Sequence, residues 1–280
     1  FGLQTEHPSG TQYARYLEDI VCSYNINVKE DIEVQDIEFK QDGNITIITQ
    51  KQKFLCKHLI WAGGEFQYPK FRPYTVRVGA SYKDIAKGHH IIIGGNESGI
   101  EAAYNLIKYG STVSVIDSKA SWNERVSDSS YGLSPFTFDR LRYLQHIRKI
   151  ELIDEYVVDI TDKAVSTQTR TFDLDHPAID ATGFDIKQSL AGKLFNFIDD
   201  HPELTKYDES TKHKNVFLVG PQVKHGNVIF CFIYKYRQRF AVVVREILNR
   251  MGKKSPVITE YASKGFLLDD LTCCEGNCEC

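Results

Sequence analysis

The chain has 280 residues, of which 42% are hydrophobic and 25% charged, with a net charge of −3. That length accommodates one large domain or two ordinary ones, and the mild acidity gives no electrostatic footprint for nucleic acid. No apolar run approaches the ~20 residues needed to cross a bilayer, so no membrane-spanning role is expected.

In chain order, Ser9 caps a helical pattern through Tyr13, Tyr16, Leu17, Ile20 and Val21. A short strand is predicted over 26–29. Three alternating segments follow, 32–40, 44–50 and 53–60, with Asp42-Gly43 as the hairpin turn between the first two. They predict a small antiparallel meander. The last runs into Leu59-Ile60-Trp61-Ala62-Gly63-Gly64, an apolar strand ending at a glycine pair. Residues 71–87 read as a linker, with Pro69 and Pro73 around its start.

The segment His90 to Asp117 is the most informative. Ile91 to Ile93 form an unbroken apolar run, as for a strand covered on both faces. Gly94, Gly95 and Gly99 bracket a tight turn that opens a helix with Ile100, Ala103, Tyr104 and Ile107 on one face, and Gly110 stands at its C-terminal end. A second strand ends in Asp117. This is the strand–turn–helix–strand fingerprint of a dinucleotide site, in which the first glycine permits the turn, the second admits the pyrophosphate and the third lets helix and strand pack closely. Here Gly94 and Gly99 hold the first and third places and Asn96 the second. Asn tolerates left-handed backbone better than most residues. Free N–H groups at the helix start favour phosphate, Ser98 is a candidate phosphate contact, and Glu97 either contacts nucleotide or caps the helix. Asp117 stands where a ribose-binding acid is expected.

Residues 118–134 are polar and Ser-rich and read as a surface loop. A helix is predicted over 135–147 with Ser134 as N-cap, a strand over 150–153, a meander over 156–174 and a strand over 177–181 ending in Thr182-Gly183-Phe184. After a loop with a short helix comes a buried-type strand, 215–219, ending at Gly220-Pro221. A long helix is predicted over 227–251. Its apolar face comprises Ile233, Tyr234, Tyr236, Phe240, Val243, Val244 and Ile247, with Arg237, Arg239, Arg245 and Arg250 largely elsewhere.

Seven cysteines fall into two sets. Cys22, Cys56 and Cys231 read as small buried hydrophobes. Cys273, Cys274, Cys278 and Cys280 crowd the C-terminus, where three readings stand: a soft-metal site, a redox arm, or incidental thiols. With no C-x-x-C in the body of the chain, a reducing, cytoplasmic setting is expected. Among the histidines, His89 and His90 read as surface residues. His225, beside Gly226 and the last helix, is the candidate for a catalytic group.

Three sets of residues accompany the glycine turn: Glu6-His7-Pro8-Ser9-Gly10 with Tyr13 and Tyr16-Leu17, the stretch from Trp61-Ala62-Gly63-Gly64 to Tyr68-Pro69, and Asp180-Ala181-Thr182-Gly183-Phe184. Over about residues 5 to 251 the chain resembles the flavin-containing monooxygenase-like branch of the flavoproteins with two dinucleotide-binding domains, akin to pyridine nucleotide-disulfide oxidoreductases. The resemblance implies an α/β, Rossmann-like fold in which an NAD(P)-binding domain (88–186) is inserted in an FAD-binding domain (1–70 and 187–271), followed by the Cys-rich tail (272–280). It also implies that the glycine-rich unit opening such an FAD domain falls before Phe1, leaving that domain incomplete here.

By the same resemblance Ala62, Gly63, Gly64, Thr182 and Gly183 lie at the two crossings between domains, and Gly220 to Asn227 leads into a helix whose N-terminus points at the flavin. Cofactors FAD and NAD(P)H follow, with hydride passing from nicotinamide to flavin and on to a small-molecule substrate. Alternatives are a disulfide or metal-ion reductase using the tail, and a nucleotide- or metal-binding protein without turnover. Phe71 to Tyr82 lacks the glycine and histidine of the F-x-G-x-x-x-H-x-x-x-Y fingerprint of oxygen insertion. Asp117 favours NADH while Lys119 attracts a 2′-phosphate, so both nicotinamide cofactors stay open. Nothing in the sequence sets the oligomeric state.

Overall fold

The computed structural model describes residues 5, 8–79, 81–124 and 128–272. The chain divides into two compact units, Phe1–Lys57 and His58–Cys280.

In the first unit, helix α1 (Gly10–Ser23) opens with a capping box in which Ser9 and Gln12 each satisfy the other's backbone N–H. Strands β1 (Val34–Phe39), β2 (Ile45–Thr49) and β3 (Lys53–Cys56) form an antiparallel sheet in that order. The β1–β2 hairpin turns at Gly43, which takes φ +80°, while the Asp42 carboxylate accepts the Asn44 N–H. The expected strand at 26–29 is absent, because those residues carry no ladder partner.

The second unit is organised by an all-parallel sheet. The strands of this unit, in all its sheets, are β4 (Leu59–Trp61), β5 (Thr75–Arg77), β6 (His89–Ile93), β7 (Thr112–Ile116), β8 (Ile150–Ile153), β9 (Val157–Ile160), β10 (Ala164–Thr167), β11 (Thr171–Asp173), β12 (Ala178–Asp180), β13 (Phe197–Ile198), β14 (His201–Pro202), β15 (Val216–Leu218), β16 (Lys224–His225) and β17 (Val228–Ile229). The main sheet has the order β5-β12-β6-β7-β8 with every pair parallel. The stretch read as a linker thus contributes an edge strand, β5. Helices α2 (Glu97–Lys108) and α3 (Pro135–His146) cover one face. The meander β11-β10-β9 covers the other.

Because side chains alternate along a strand, Ile92 joins Ile100, Leu106 and Leu141 on the helix side, while Ile91 and Ile93 pack with Ile153 and Val165 on the meander side. This double coverage explains the unbroken apolar run. His90 (2% exposed) is also buried, and its ring stacks on His176. His89 is held by Thr112 and Ser114 hydroxyls. Both histidines were expected at the surface. Because both faces of β6 are covered, His90 is buried and His89 is only partly exposed.

Downstream, α4 (Ala191–Leu194) and the β13–β14 hairpin precede β15, which pairs in parallel with β4. Helix α5 (Ile233–Arg250) starts six residues later than the sequence pattern suggests, because β16 and β17 form a hairpin first. Its buried positions are Arg239, Ala241, Val242 and Val243, whereas Ile233, Tyr234, Phe240 and Val244 are exposed. Apolar counting misplaces the buried face because Arg239 is drawn inward by Asp208, at 2.6 Å. Helix α6 (Pro256–Ser263) ends the regular structure. Among the described residues no helix is long and apolar enough to cross a membrane. Cys273, Cys274, Cys278 and Cys280 lie outside the described residues.

Candidate active site

Strand β6 leads through α2 to β7 on one side, while β12 arrives on its other side. This is a topological switch point, where the carboxyl ends of parallel strands leave a crevice. A cleft of about 930 Å³ occupies it, lined among others by Gly94, Asn96, Glu97, Ser98, Asp117, Lys119, Thr182 and Gly183.

The glycine turn is shaped by contacts on three sides. Gly94 takes φ +104°, and a Cβ there would sit 2.5 Å from the Ala181 carbonyl oxygen. A Cβ at Gly99 would lie 1.9 Å from the Gly94 carbonyl oxygen, so the helix–strand approach forbids any side chain. At Gly95 the obstruction is the Trp122 ring, 2.1 Å away. Asn96 needs no left-handed backbone: with φ −89° and ψ −165° it is extended and serves as the N-cap of α2. The replacement of the second glycine therefore costs no conformational strain. Its side chain makes no cap bond, so the first-turn amides of α2 remain available to an anion at the cleft.

Asp117 is held beside this turn. Its Oδ2 accepts the Gly95 N–H at 2.6 Å and its Oδ1 accepts the Lys119 N–H at 2.8 Å. Glu97 lines the cleft, and its carboxylate accepts the Ser134 N–H and the hydroxyls of Ser134 and Thr137, at the start of α3. It complements that helix's positive end.

Segments 68–72 and 180–185 run side by side at another wall. Lys70 N–H donates to the Gly183 carbonyl and Asp185 N–H to the Tyr68 carbonyl, both at 2.8 Å. Arg72 Nε pairs with Asp180 Oδ2 at 3.0 Å, and the Thr182 hydroxyl donates to Asp180 Oδ1 at 2.6 Å. Lys70 and Lys187 both hold Asp200, whose carboxyl is thereby lowered to about 2.

The third wall is the start of α5. Cys231 and Phe232 line the cleft. The Cys231 thiol lies 3.2 Å from the Ser130 hydroxyl, which takes Lys235 Nζ at 2.9 Å, and Lys235 pairs with Asp128 at 2.6 Å. Cys231 is thus a cleft residue in polar company, and Cys22 is exposed, so neither is the buried hydrophobe expected. Burial still pushes the Cys231 thiol up. The Ser-rich loop is likewise more than surface: Ser121, Trp122 and Ser129 in it are buried.

Other sequence candidates fall elsewhere. Ala62, Gly63, Gly64, Gly220 and Asn227 are not among the cleft-lining residues. Gly63 makes room for the Trp61 ring, whose nearest atom would lie 2.7 Å from a Cβ. His225 bonds to buried Asp208 at 2.5 Å, beside Arg239 at 3.3 Å, and does not line the cleft. Glu65, Arg72, Trp122 and Cys231 escaped the sequence reading. Of these only Trp122, a large aromatic in a polar loop, carried a local signal. Among the described residues no group of three or more His, Cys, Asp or Glu is arranged to hold a metal ion.

A parallel α/β sheet with a glycine turn, an acid at the next strand end and a cleft at the switch point defines a dinucleotide-binding protein of Rossmann type. Residues 1–220 match the family described as Pyridine nucleotide-disulphide oxidoreductase, and the chain belongs to that family of oxidoreductases, which implies use of FAD and NAD(P)H. In fold it is similar to the bacillithiol disulfide reductase Bdr (YpdA) of Bacillus cereus, at 20% identity and TM-score 0.65 over 89% of this chain and 81% of that one. It is also similar to a T. acidophilum thioredoxin reductase, at 14% identity and TM-score 0.61 over 89% and 83% of the two chains. A flavin-containing monooxygenase from Stenotrophomonas maltophilia shares 15% identity, with TM-score 0.61 over 89% and 79%.

Proposed function

We propose that this chain binds NAD(P)H across the β6–α2 turn and, together with FAD, passes its reducing equivalents to a small-molecule acceptor. The observation that carries the reading is the convergence of the uncapped α2 start, the Gly94–Gly99 packing and the Asp117 carboxylate on one cleft. The α2 amides with Ser98 would take the pyrophosphate, and Asp117 the ribose hydroxyls. Residues 88–186 would form the nicotinamide domain.

The residues present also fit FAD on the α5 side. Phe232, the N-cap of α5, offers no side-chain cap, and while the Lys235 N–H donates to the Phe232 carbonyl at 2.9 Å, the Ile233 and Tyr234 amides are placed to meet an electron-rich ring edge. Gly64 and Gly220 have positive φ and open space where a Cβ would stand. FAD, when bound, supplies a two-electron relay between nicotinamide and acceptor. The chain's own residues bind, orient and exclude water.

A direct test uses the intrinsic fluorescence of Trp122, packed on Gly95, with the flavin absorbance of the FAD-supplemented protein. Saturable quenching by NADH or NADPH with bleaching of the flavin band supports the reading. Neither signal with either nucleotide would sink it. A second reading, with a disulfide as acceptor, rests on the Cys231 thiol at the cleft. Alkylation of Cys231 blocking disulfide reduction but not flavin bleaching would favour it.

A further inference from the structure

Seven carboxyl groups line the cleft: Glu65, Glu97, Asp117, Glu155, Asp180, Asp185 and Asp200. Six are bonded by cationic side chains or by backbone N–H groups. Asp117 takes two amides, Glu97 the α3 start, Asp180 Arg72, Asp200 two lysines, Asp185 the Lys187 amide, and Glu155 Arg170 at 3.4 Å. Glu65 differs. Its side chain meets only the neutral amide of Gln222, and among the described residues no cation and no backbone N–H bonds to it. It follows Gly63-Gly64 at the first crossing and lies near the Cys231 thiol, on the α5 side of the cleft.

A half-buried carboxyl without a compensating charge favours its neutral form. Burial accordingly pushes Glu65 above the ordinary carboxylate range, against a smaller opposing effect of the Gln222 bond. The charges nearby do not reverse this. Lys235 is paired with Asp128 beyond Cys231, while Lys70 and Arg72 on the same cleft are committed to Asp200 and Asp180.

We propose that Glu65 is the proton donor of this cleft, giving its carboxyl proton to the bound two-electron acceptor. The inference rests on the oxidoreductase reading above. NAD(P)H furnishes two electrons and one proton as hydride, yet a quinone, a disulfide or oxygen reduced by two electrons needs two protons. The Glu65 O–H bond breaks as the second acceptor–hydrogen bond forms, and water restores the proton to the carboxylate. The sum is acceptor plus NAD(P)H plus one proton, giving dihydro-acceptor plus NAD(P)⁺. Gln222 holds one carboxyl oxygen and is a positioning residue.

Two measurements test this. Carboxyl NMR of the full chain with isotopically labelled glutamate, assigned by the loss of one signal in Glu65→Gln, should show Glu65 titrating above 4.5, its ordinary value. This needs no cofactor and no acceptor. In the FAD-loaded protein, Glu65→Gln should slow reduction of benzoquinone, which takes up protons, by about 100-fold, while reduction of ferricyanide, which takes electrons alone, stays within about twofold. The wild-type benzoquinone rate should fall as pH rises through the Glu65 titration, and Glu65→Gln should lose that limb. A Glu65 signal at or below 4.5 would overturn the proposal. So would equal slowing, or no slowing, of both acceptors. Failure of wild-type protein to bind nucleotide overturns instead the nucleotide reading, and the NMR titration separates the two.

Discussion

Arg72 Nε stands 3.0 Å from Asp180 Oδ2 and so ties the segment before β5 to the end of β12. The Asp180 side chain is wholly buried, and its other oxygen is taken by the Thr182 hydroxyl and N–H. Among the described residues Arg72 Nη2 is buried without a hydrogen-bond partner. The pair therefore acts as a fixed pin between two segments that are 108 residues apart in sequence.

Removing one side of a buried pair strands the other charge. Arg72→Ala should cost about 3 kcal/mol in urea unfolding. That value is at the low end for such pairs, because the Arg72 side chain is 36% exposed. Asp180→Asn, which strands the guanidinium of Arg72 instead of a wholly buried carboxylate, should cost less because that guanidinium's side chain is partly exposed, and the double variant less than the sum. Additive losses would show that the two residues are not energetically coupled.

The glycine turn separates two substitutions that look alike in sequence. Gly99→Ala places a Cβ 1.9 Å from the Gly94 carbonyl, so the helix start must move. Nucleotide affinity should drop by about tenfold or more, equivalent to 1.4 kcal/mol. Asn96→Gly restores the usual motif but changes an extended N-cap, where the two residues differ by only a few tenths of a kcal/mol. Fluorescence titration should find its affinity within about twofold of wild type, the equivalent of ~0.4 kcal/mol.

On the proposed nucleotide reading, Asp117 would bear on cofactor choice through the same geometry. Its carboxylate is fixed by two amides, and it is the Lys119 N–H that bonds to it. Asp117→Ser removes the charge that would repel a 2′-phosphate. The NADH-to-NADPH affinity ratio should fall about tenfold. A ratio that does not change would move the ribose elsewhere.

Asp200 carries a pH signature. Its carboxyl is lowered from 3.8 to about 2, first by its bond to Lys187 and then by Lys70. A depressed folded value means its contribution is present above 3.8 and is lost as pH falls toward 2. Urea midpoints of wild type and Asp200→Asn should differ above that window and converge below it. The difference should be small, because the carboxylate is half exposed and screened.

Local pattern made much of the fold legible. The Asp42-Gly43 turn, the Ser9 and Ser134 caps, the apolar run of β6 and the Gly94–Gly99 turn all rest on neighbours within a few residues. What failed involved distant partners. Arg239 reads as a solvated arginine until Asp208 lies beside it, 31 residues away. Cys231 reads as a buried hydrophobe until Ser130, 101 residues earlier, reaches its sulfur. Glu97 reads as a nucleotide contact or a cap of its own helix, and its bonds to the start of α3 come from residues about 40 positions later.

The sequence by itself determined the βαβ unit and the family, because backbone sterics and hydrophobic period act over short range. Only the tertiary structure decided which charges in the cleft are paired. Glu65 and Asp117 are both acids after strand ends, yet one meets a neutral amide and the other two backbone N–H groups. The protonation of a carboxyl depends on its surroundings in space, and chain crossings far apart in sequence supply those surroundings here.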